Sequence, residues 1–280
     1  MLIKKDIWQN GRDPNQSEET VKREKTVHFG FKQIPEGEKV DRVLWHFNTV
    51  ARKYDFMNTL LSFGIHYFWK WAAVRMMSLS LGDRVIDVCG GTGDLSISAA
   101  RHVGSTGMVV IYDINLTMMQ VGKPKIAGSP DGKRISFVRG DAELIAFSDN
   151  SFDAAMVGFG IRNLTHPEKG FEQMFRALKP GGKMMCLEFS KPTAPLFRWL
   201  YDMYSFYVMP LLGEIIVGSR DAYLLLPESI RTFPLPDKLS RILERIGFSH
   251  VRYHKFTNGI AVVHLAEKPR HGQAGTEQVF

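Results

Sequence analysis

A short β-branched run, Val85-Ile-Asp-Val88, passes directly into Cys89-Gly90-Gly91-Thr92-Gly93-Asp94 and then into an apolar stretch with helical spacing. Strand, glycine turn and helix in that order put the glycines at the carboxyl end of a strand, where open α/β sheets bind ligands. Glycine lets a ligand approach the backbone closely, and the helix start that follows offers unpaired amide donors. About twenty residues later Asp113 closes the next β-branched run, the place for a carboxylate that accepts both hydroxyls of a ribose. Asp141-Ala142 follows the third run, where an acidic side chain beside a small residue can meet an adenine edge. The glycine loop alone could be a tight turn; the two acids at successive strand ends turn it into a candidate site. A pyrophosphate would need Gly-x-Gly-x-x-Gly. Here the third glycine is missing and Asp94 stands at the helix start, where it repels phosphate. The pattern fits an adenosine cofactor with no phosphates and a positive centre.

The elements that must hold these residues are legible from their periods. From Asp83 onward, runs at Arg84–Val88, Met108–Tyr112, Ile135–Val138, Phe152–Val157 and Lys183–Glu188 alternate with helical patterns, which predicts a parallel sheet with helices on both faces. Two final strands are expected near Val251–Phe256 and Ile260–Leu265, giving seven strands. A helix is expected over Pro236–Ile246. Upstream, apolar residues at helical spacing predict two short helices interrupted near Lys53-Tyr54-Asp55 and a third over His66–Met77, together a helical lid. Residues 1–26 and 269–280 lack either hydrophobic period and read as flexible arms, leaving one domain over 27–268.

Composition narrows the class. With 280 residues, 44% hydrophobic and 23% charged, the chain has ample material for a core, and collagen-like, coiled-coil and globally disordered readings are excluded. The formal charge of +7 is spread too evenly for a nucleic-acid stripe, so no nucleic-acid partner is expected. Cys89 and Cys186 are far apart and have no ligand-spaced neighbours, which predicts neither a disulfide nor a metal site and suits a reducing compartment. Pro195 to Val217 is apolar and aromatic, but Arg198, Asp202, Pro210 and Glu214 interrupt it, so a membrane span is not expected. It reads either as a core or dimer helix, or as a greasy wall that touches a bilayer, with Trp199 and Tyr201 suited to the interface.

Asp87-Val-Cys-Gly-Gly-Thr-Gly-Asp94 resembles motif I of class I S-adenosylmethionine (SAM)-dependent methyltransferases. The chain is similar to the ubiquinone/menaquinone biosynthesis C-methyltransferase family in particular. The resemblance runs from about residue 28 to 266 and is carried by His28–Phe31, Lys53-Tyr-Asp-Phe-Met-Asn58, Ser62–His66, Phe159-Gly-Ile-Arg-Asn163, Leu178–Gly182, Leu187–Pro192 and Glu228–Arg231. It implies a Rossmann-like α/β fold, its seven-stranded sheet mostly parallel with one reversed strand at an edge, and SAM as cofactor, bound by Gly90, Gly91, Thr92, Asp113, Asp141 and Ala142. Gly158 stands where many members carry a cofactor-contacting Ser, and only its backbone could serve. Asp94 would bond the methionine amine or merely cap its helix. Cys89 replaces a loop glycine and is expected to be inert.

The same resemblance implies C-methylation of a polyprenylated benzoquinol or naphthoquinol ring in quinone biosynthesis, in the cytoplasm or mitochondrial matrix at the inner membrane face. A homodimer or a multi-enzyme complex would be compatible with it. Arg162 is then the expected catalytic donor to a ring oxyanion, directly or through a water, with a capping or salt-bridging arginine as the alternative. Asn163 would orient that water or the quinol oxygen, and Tyr54 would pack on or bond SAM. His66, His166 and Glu188 are weaker candidates for a base. The rival readings are a SAM enzyme with another lipidic acceptor and a non-catalytic scaffold of the same fold.

Overall fold

The computed structural model describes residues 25–270; the two flexible-arm assignments, over 1–24 and 271–280, lie outside the described residues. The described residues open with a hairpin, β1 (Thr26–Phe29) and β2 (Lys32–Pro35), so a strand begins inside the segment 1–26 read as an arm. Its two-residue turn needs Gly30 at φ +62. Three helices follow, α1 (Lys39–Val50), α2 (Tyr54–Leu61) and α3 (Ile65–Met76), with the expected interruption at Ala51–Lys53.

The sheet comprises β3 (Arg84–Val88), β4 (Met108–Asp113), β5 (Ile135–Arg139), β6 (Phe152–Gly158), β7 (Leu178–Phe189), β8 (Ser249–Phe256) and β9 (Ala261–Glu267), in the order β5-β4-β3-β6-β7-β9-β8. The five strands from β3 to β7 are mutually parallel; β3 and β4 are β-branched runs buried almost throughout, while β6 and β7 fill the same layer with Ala, Met and Leu. The single reversed strand is β9, and it lies between β7 and β8 rather than at the edge. Only Thr257–Ile260 joins β8 to β9, too short for a parallel crossover, so the two pair as a hairpin with β9 inserted against β7.

Helices cover both faces: α4 (Asp94–Val103), α5 (Leu116–Ala127), α6 (Pro167–Ala177) and α10 (Pro236–Ile246), with one core on each side of the sheet. Between β7 and α10 the chain forms α7 (Pro195–Met203), a π-helical turn over Tyr204–Val208, α8 (Met209–Val217) and α9 (Arg220–Thr232). Here α8 and α9 pack against α1 and α2 through Val50, Met57, Ala222 and Tyr223, a small third core that makes the helical cap.

The order of strands reverses between β4 and β6 around β3, so the glycine loop lies at the topological switch point. One contact fixes its height. A Cβ on Gly122 of α5 would lie 2.6 Å from the Thr92 carbonyl oxygen and 2.9 Å from its Cα, so backbone rests on backbone there. Alanine normally strengthens a helix by about 1 kcal/mol over glycine. At this position Gly122→Ala must push α5 off the loop, and the expected outcome is a loss of about 1–3 kcal/mol, read as a lower Tm in calorimetry.

Candidate active site

The site residues expected from the sequence fall into two adjoining groups. The first lies along the carboxyl edge of β3 and β4. Asp113, nearly buried, accepts from the Gly91 N–H at 2.8 Å and from the Asn115 N–H at 2.7 Å, so it ties the glycine loop to the end of β4. Burial pushes its carboxyl up, and the two amide donors oppose that shift. Cys89 takes φ +55, the left-handed region glycine favours. Burial and the neighbouring acids push its thiol up, which keeps it protonated and unreactive. Asp141 is exposed and caps its own turn by accepting from the Glu143 N–H at 2.9 Å, while Ala142 beside it is buried. At Gly158 the space a side chain would fill is taken by Leu95, whose Cδ1 would be 2.4 Å from a Cβ.

Asp94 has both carboxylate oxygens engaged: Lys125 donates to Oδ1 and Lys70 to Oδ2, each at 2.6 Å. Burial alone would raise this acid, but the two lysines outweigh it and hold the carboxyl well below the usual range. Thr92 is buried and donates to Asp55 Oδ1 at 2.7 Å. Sequence reasoning missed Lys70 and Lys125; they sit 24 and 31 residues from Asp94, and no local pattern marks an ion pair of that separation.

The second group lines a cavity of about 460 Å³ under the helical cap, mostly apolar, into which Tyr54, Arg162 and Asn163 all face. None of the cofactor-side glycines lines it; Lys70 belongs to both groups. Arg162 is aimed by a sharp exit from β6, where Phe159 takes φ +58 and Arg162 and Asn163 follow in a single 3₁₀ turn. Its guanidinium is buried and paired: Nη1 donates to Glu188 Oε2 at 3.0 Å and to the Phe159 carbonyl, Nε to Ser229 Oγ at 3.3 Å, and the group lies 5.5 Å from the Phe189 ring centre. Nη2 has no partner among the described residues. Glu188, raised by burial against the pull of Arg162, braces the guanidinium. The salt-bridging alternative for Arg162 is therefore realised in geometry, and it leaves one guanidinium nitrogen without a partner among the described residues.

Tyr201, suited to an interface in one of the two readings of Pro195–Val217 and to a core helix in the other, lines the cavity, where burial pushes its hydroxyl up to about 12. His46, which sequence reasoning did not single out, lines the same cavity, and His66 is buried at its edge; burial brings both down to about 4, so both are neutral at pH 7. His166 lies away from the cavity lining, with Nε2 2.9 Å from Glu36 Oε1.

The donor set fits SAM. Beneath the loop, Asp87 is fully buried, with Oδ2 accepting from Ser96 Oγ at 2.6 Å and Oδ1 left without a partner among the described residues. Burial pushes its carboxyl up to about 7. A Cβ on Gly90 would sit 3.0 Å from Asp87 Cγ, so the loop can approach this acid only as glycine. A cationic cofactor on the loop supplies the charge that the acid lacks and favours its ionised form. Binding of SAM near pH 6 should therefore release a proton, and affinity should rise as pH passes upward through 7. Calorimetry in buffers of different ionisation enthalpy measures the release, and Asp87→Asn should abolish it.

A model of the ubiE/COQ5 methyltransferase family matches residues 26–268. The chain is 44% identical over 246 residues, 88% of its own length and 96% of the relative's, to the ubiquinone/menaquinone biosynthesis C-methyltransferase UbiE of Stutzerimonas stutzeri (strain A1501). It is 44% identical over 257 residues, 92% and 99% of the two lengths, to the protein of the same name from Ectopseudomonas mendocina (strain ymp). Among solved structures it shares its fold with a SAM-dependent methyltransferase from Aquifex aeolicus, at TM-score 0.50 and 18% identity over 71% of this chain and 89% of that one. It also shares it with a Haemonchus contortus N-methyltransferase crystallised with S-adenosylhomocysteine, at TM-score 0.53 and 16% identity over 72% and 52%. With the cofactor edge and the sequence in agreement, the chain is a SAM-dependent methyltransferase and belongs to the ubiE/COQ5 methyltransferase family.

Proposed function

We propose that the protein methylates a ring carbon of a polyprenylated benzoquinol or naphthoquinol, in keeping with relatives named ubiquinone/menaquinone biosynthesis C-methyltransferase, and takes that acceptor from a membrane surface. The observation that carries the reading is Arg162, a fixed cation with a spare donor in the wall of a mostly apolar, aromatic cavity next to the cofactor edge. SAM supplies an electrophilic methyl: the new C–C bond forms at the ring carbon, the S–C pair stays on sulfur, and the ring proton is lost.

The chain's own task is to make that carbon nucleophilic. A phenol with pKa near 10 costs about 4 kcal/mol to ionise at pH 7, and a guanidinium facing the developing oxyanion in a dry cavity lowers that cost. Asn163, beside it, orients the oxygen. Glu188 fixes the guanidinium plane, and Tyr54, Phe159 and Phe189 exclude water. Because His46 and His66 are neutral, neither competes with Arg162 for the oxyanion.

The outer face of Pro195–Val217 supports the membrane part of the reading. This is one continuous helix among the described residues, long and apolar enough by length and composition to cross a membrane. Its inner face is occupied, with Tyr204 donating to the Leu61 carbonyl at 2.9 Å and Asp202 paired to Arg231. The outer face exposes Leu196, Trp199, Tyr207 and Ile215, and Phe63 beside the cavity is 86% exposed. One packed face and one apolar exposed face suit a helix lying in an interface, with a net charge of +7 attracted to anionic lipid.

The activity is tested by methyl transfer from isotope-labelled SAM to short-chain demethylated quinols kept reduced, with mass spectrometry locating the label on a ring carbon. Label on oxygen, or none, would refute it. Arg162→Met should strand Glu188, lower the Tm and cut turnover by about 10²-fold. Adding Glu188→Gln should recover the Tm without recovering turnover. Replacing Leu196, Trp199 and Ile215 together by Glu should abolish sedimentation with anionic vesicles while short-chain turnover persists.

A further inference from the structure

Side chains from four helices and the glycine loop meet beside Thr92. Lys125 Nζ donates to Asp55 Oδ2 at 2.7 Å, to Asp94 Oδ1 at 2.6 Å and to Thr92 Oγ1 at 3.2 Å. Lys70 Nζ donates to Asp94 Oδ2, and Thr92 donates to Asp55 Oδ1. Two ammonium groups and two carboxylates make the cluster neutral, yet its halves differ. The Lys70 and Asp94 side chains are 12% and 17% exposed, those of Lys125 and Asp55 32% and 33%. An ion pair open to water is worth little net, whereas a buried one is costly to break on one side. The inner pair is therefore the anchor and the outer pair the exchangeable half.

A zwitterion with an ammonium and a carboxylate on one carbon has the charge layout of one such pair. It can exchange partners with Lys125 and Asp55 without creating net charge. We infer that Lys125 and Asp55 are the receptor for the amino-acid end of SAM, Lys125 taking the carboxylate and Asp55 the ammonium, while Lys70 and Asp94 stay paired. The ammonium's partner thus moves from Asp94, whose oxygens two lysines already hold, to Asp55. Asp55 lies in the first turn of α2 beside Tyr54, which faces the acceptor cavity, so the lid helix registers whether cofactor is bound. The inference rests on the SAM-dependent methyltransferase reading.

The test compares two ligands by titration calorimetry: S-adenosylhomocysteine, which keeps the amino-acid end, and 5′-methylthioadenosine, which lacks it. Lys125→Met should weaken S-adenosylhomocysteine by about 10- to 100-fold, as expected for a lost charge-assisted bond, and leave methylthioadenosine within about twofold. Unchanged methylthioadenosine binding also reports an intact fold. Asp55→Asn should show the same selective loss, and Lys125→Arg should restore S-adenosylhomocysteine binding. Equal losses for both ligands, or no loss for either, would overturn the assignment while leaving the cofactor reading intact. Failure of the unaltered protein to bind S-adenosylhomocysteine at all would remove both.

Discussion

Three strands of the sheet each bury a carboxylate, Asp87 on β3, Asp113 on β4 and Glu188 on β7, and the rest of the site is arranged around compensating them. A charge taken from water must find partners or lose its charge. Each acid meets that demand differently. Asp113 takes two backbone amides and so becomes part of the loop it shapes. Glu188 takes a guanidinium and so determines where a positive charge stands inside an apolar cavity. Asp87 takes one hydroxyl and keeps an unpaired oxygen under the glycine loop, which suits a site whose ligand is a cation.

This division separates two environments that a methyl transfer needs side by side. One is polar and built from backbone amides, acids and lysines; the other is mostly apolar and lined by aromatic rings. Phe159 stands at the junction, with its strained backbone ending β6 and its ring 4.3 Å from that of Phe189. Arg162 survives burial because carboxylate, carbonyl, hydroxyl and ring together replace its water. A second cavity of about 350 Å³, bordered by the N-terminal hairpin, shares Arg162, Asn163, Leu225 and Ser229 with the first, so a single polar wall serves both.

Most of the sheet was legible because its strands are apolar runs, several of them short and β-branched, bounded by Gly, Pro and Asp; α10 has the expected bounds, and the first four parallel strands end within a residue of them. The glycine loop and Asp113 were legible because cofactor chemistry constrains local order. Features set by distant contacts were not. β9 lies inside the sheet because of pairing that no period encodes. The hairpin at Thr26–Pro35 is only four residues a side, although Gly30 in its turn was a usable signal, and α9 was hidden by Pro227 within it. Tyr201 faces the cavity because the chain there is one helix bent by a π turn, so its apolar residues serve two faces. The lysines around Asp94 and the brace on Arg162 are tertiary pairings, invisible to spacing.

The seat of the glycine loop on Gly122 carries a consequence for the helix that bears it. Two residues after Gly122, α5 contains Pro124, which removes an amide and crowds the carbonyl of Gln120. Glycine and proline together cost a helix about 4 kcal/mol relative to alanine, so this segment has almost no tendency to coil alone. Its helical form is held by packing on the loop and strands beneath it, and Lys125, one residue further on, owes its place to tertiary contact rather than to the propensity of its own helix.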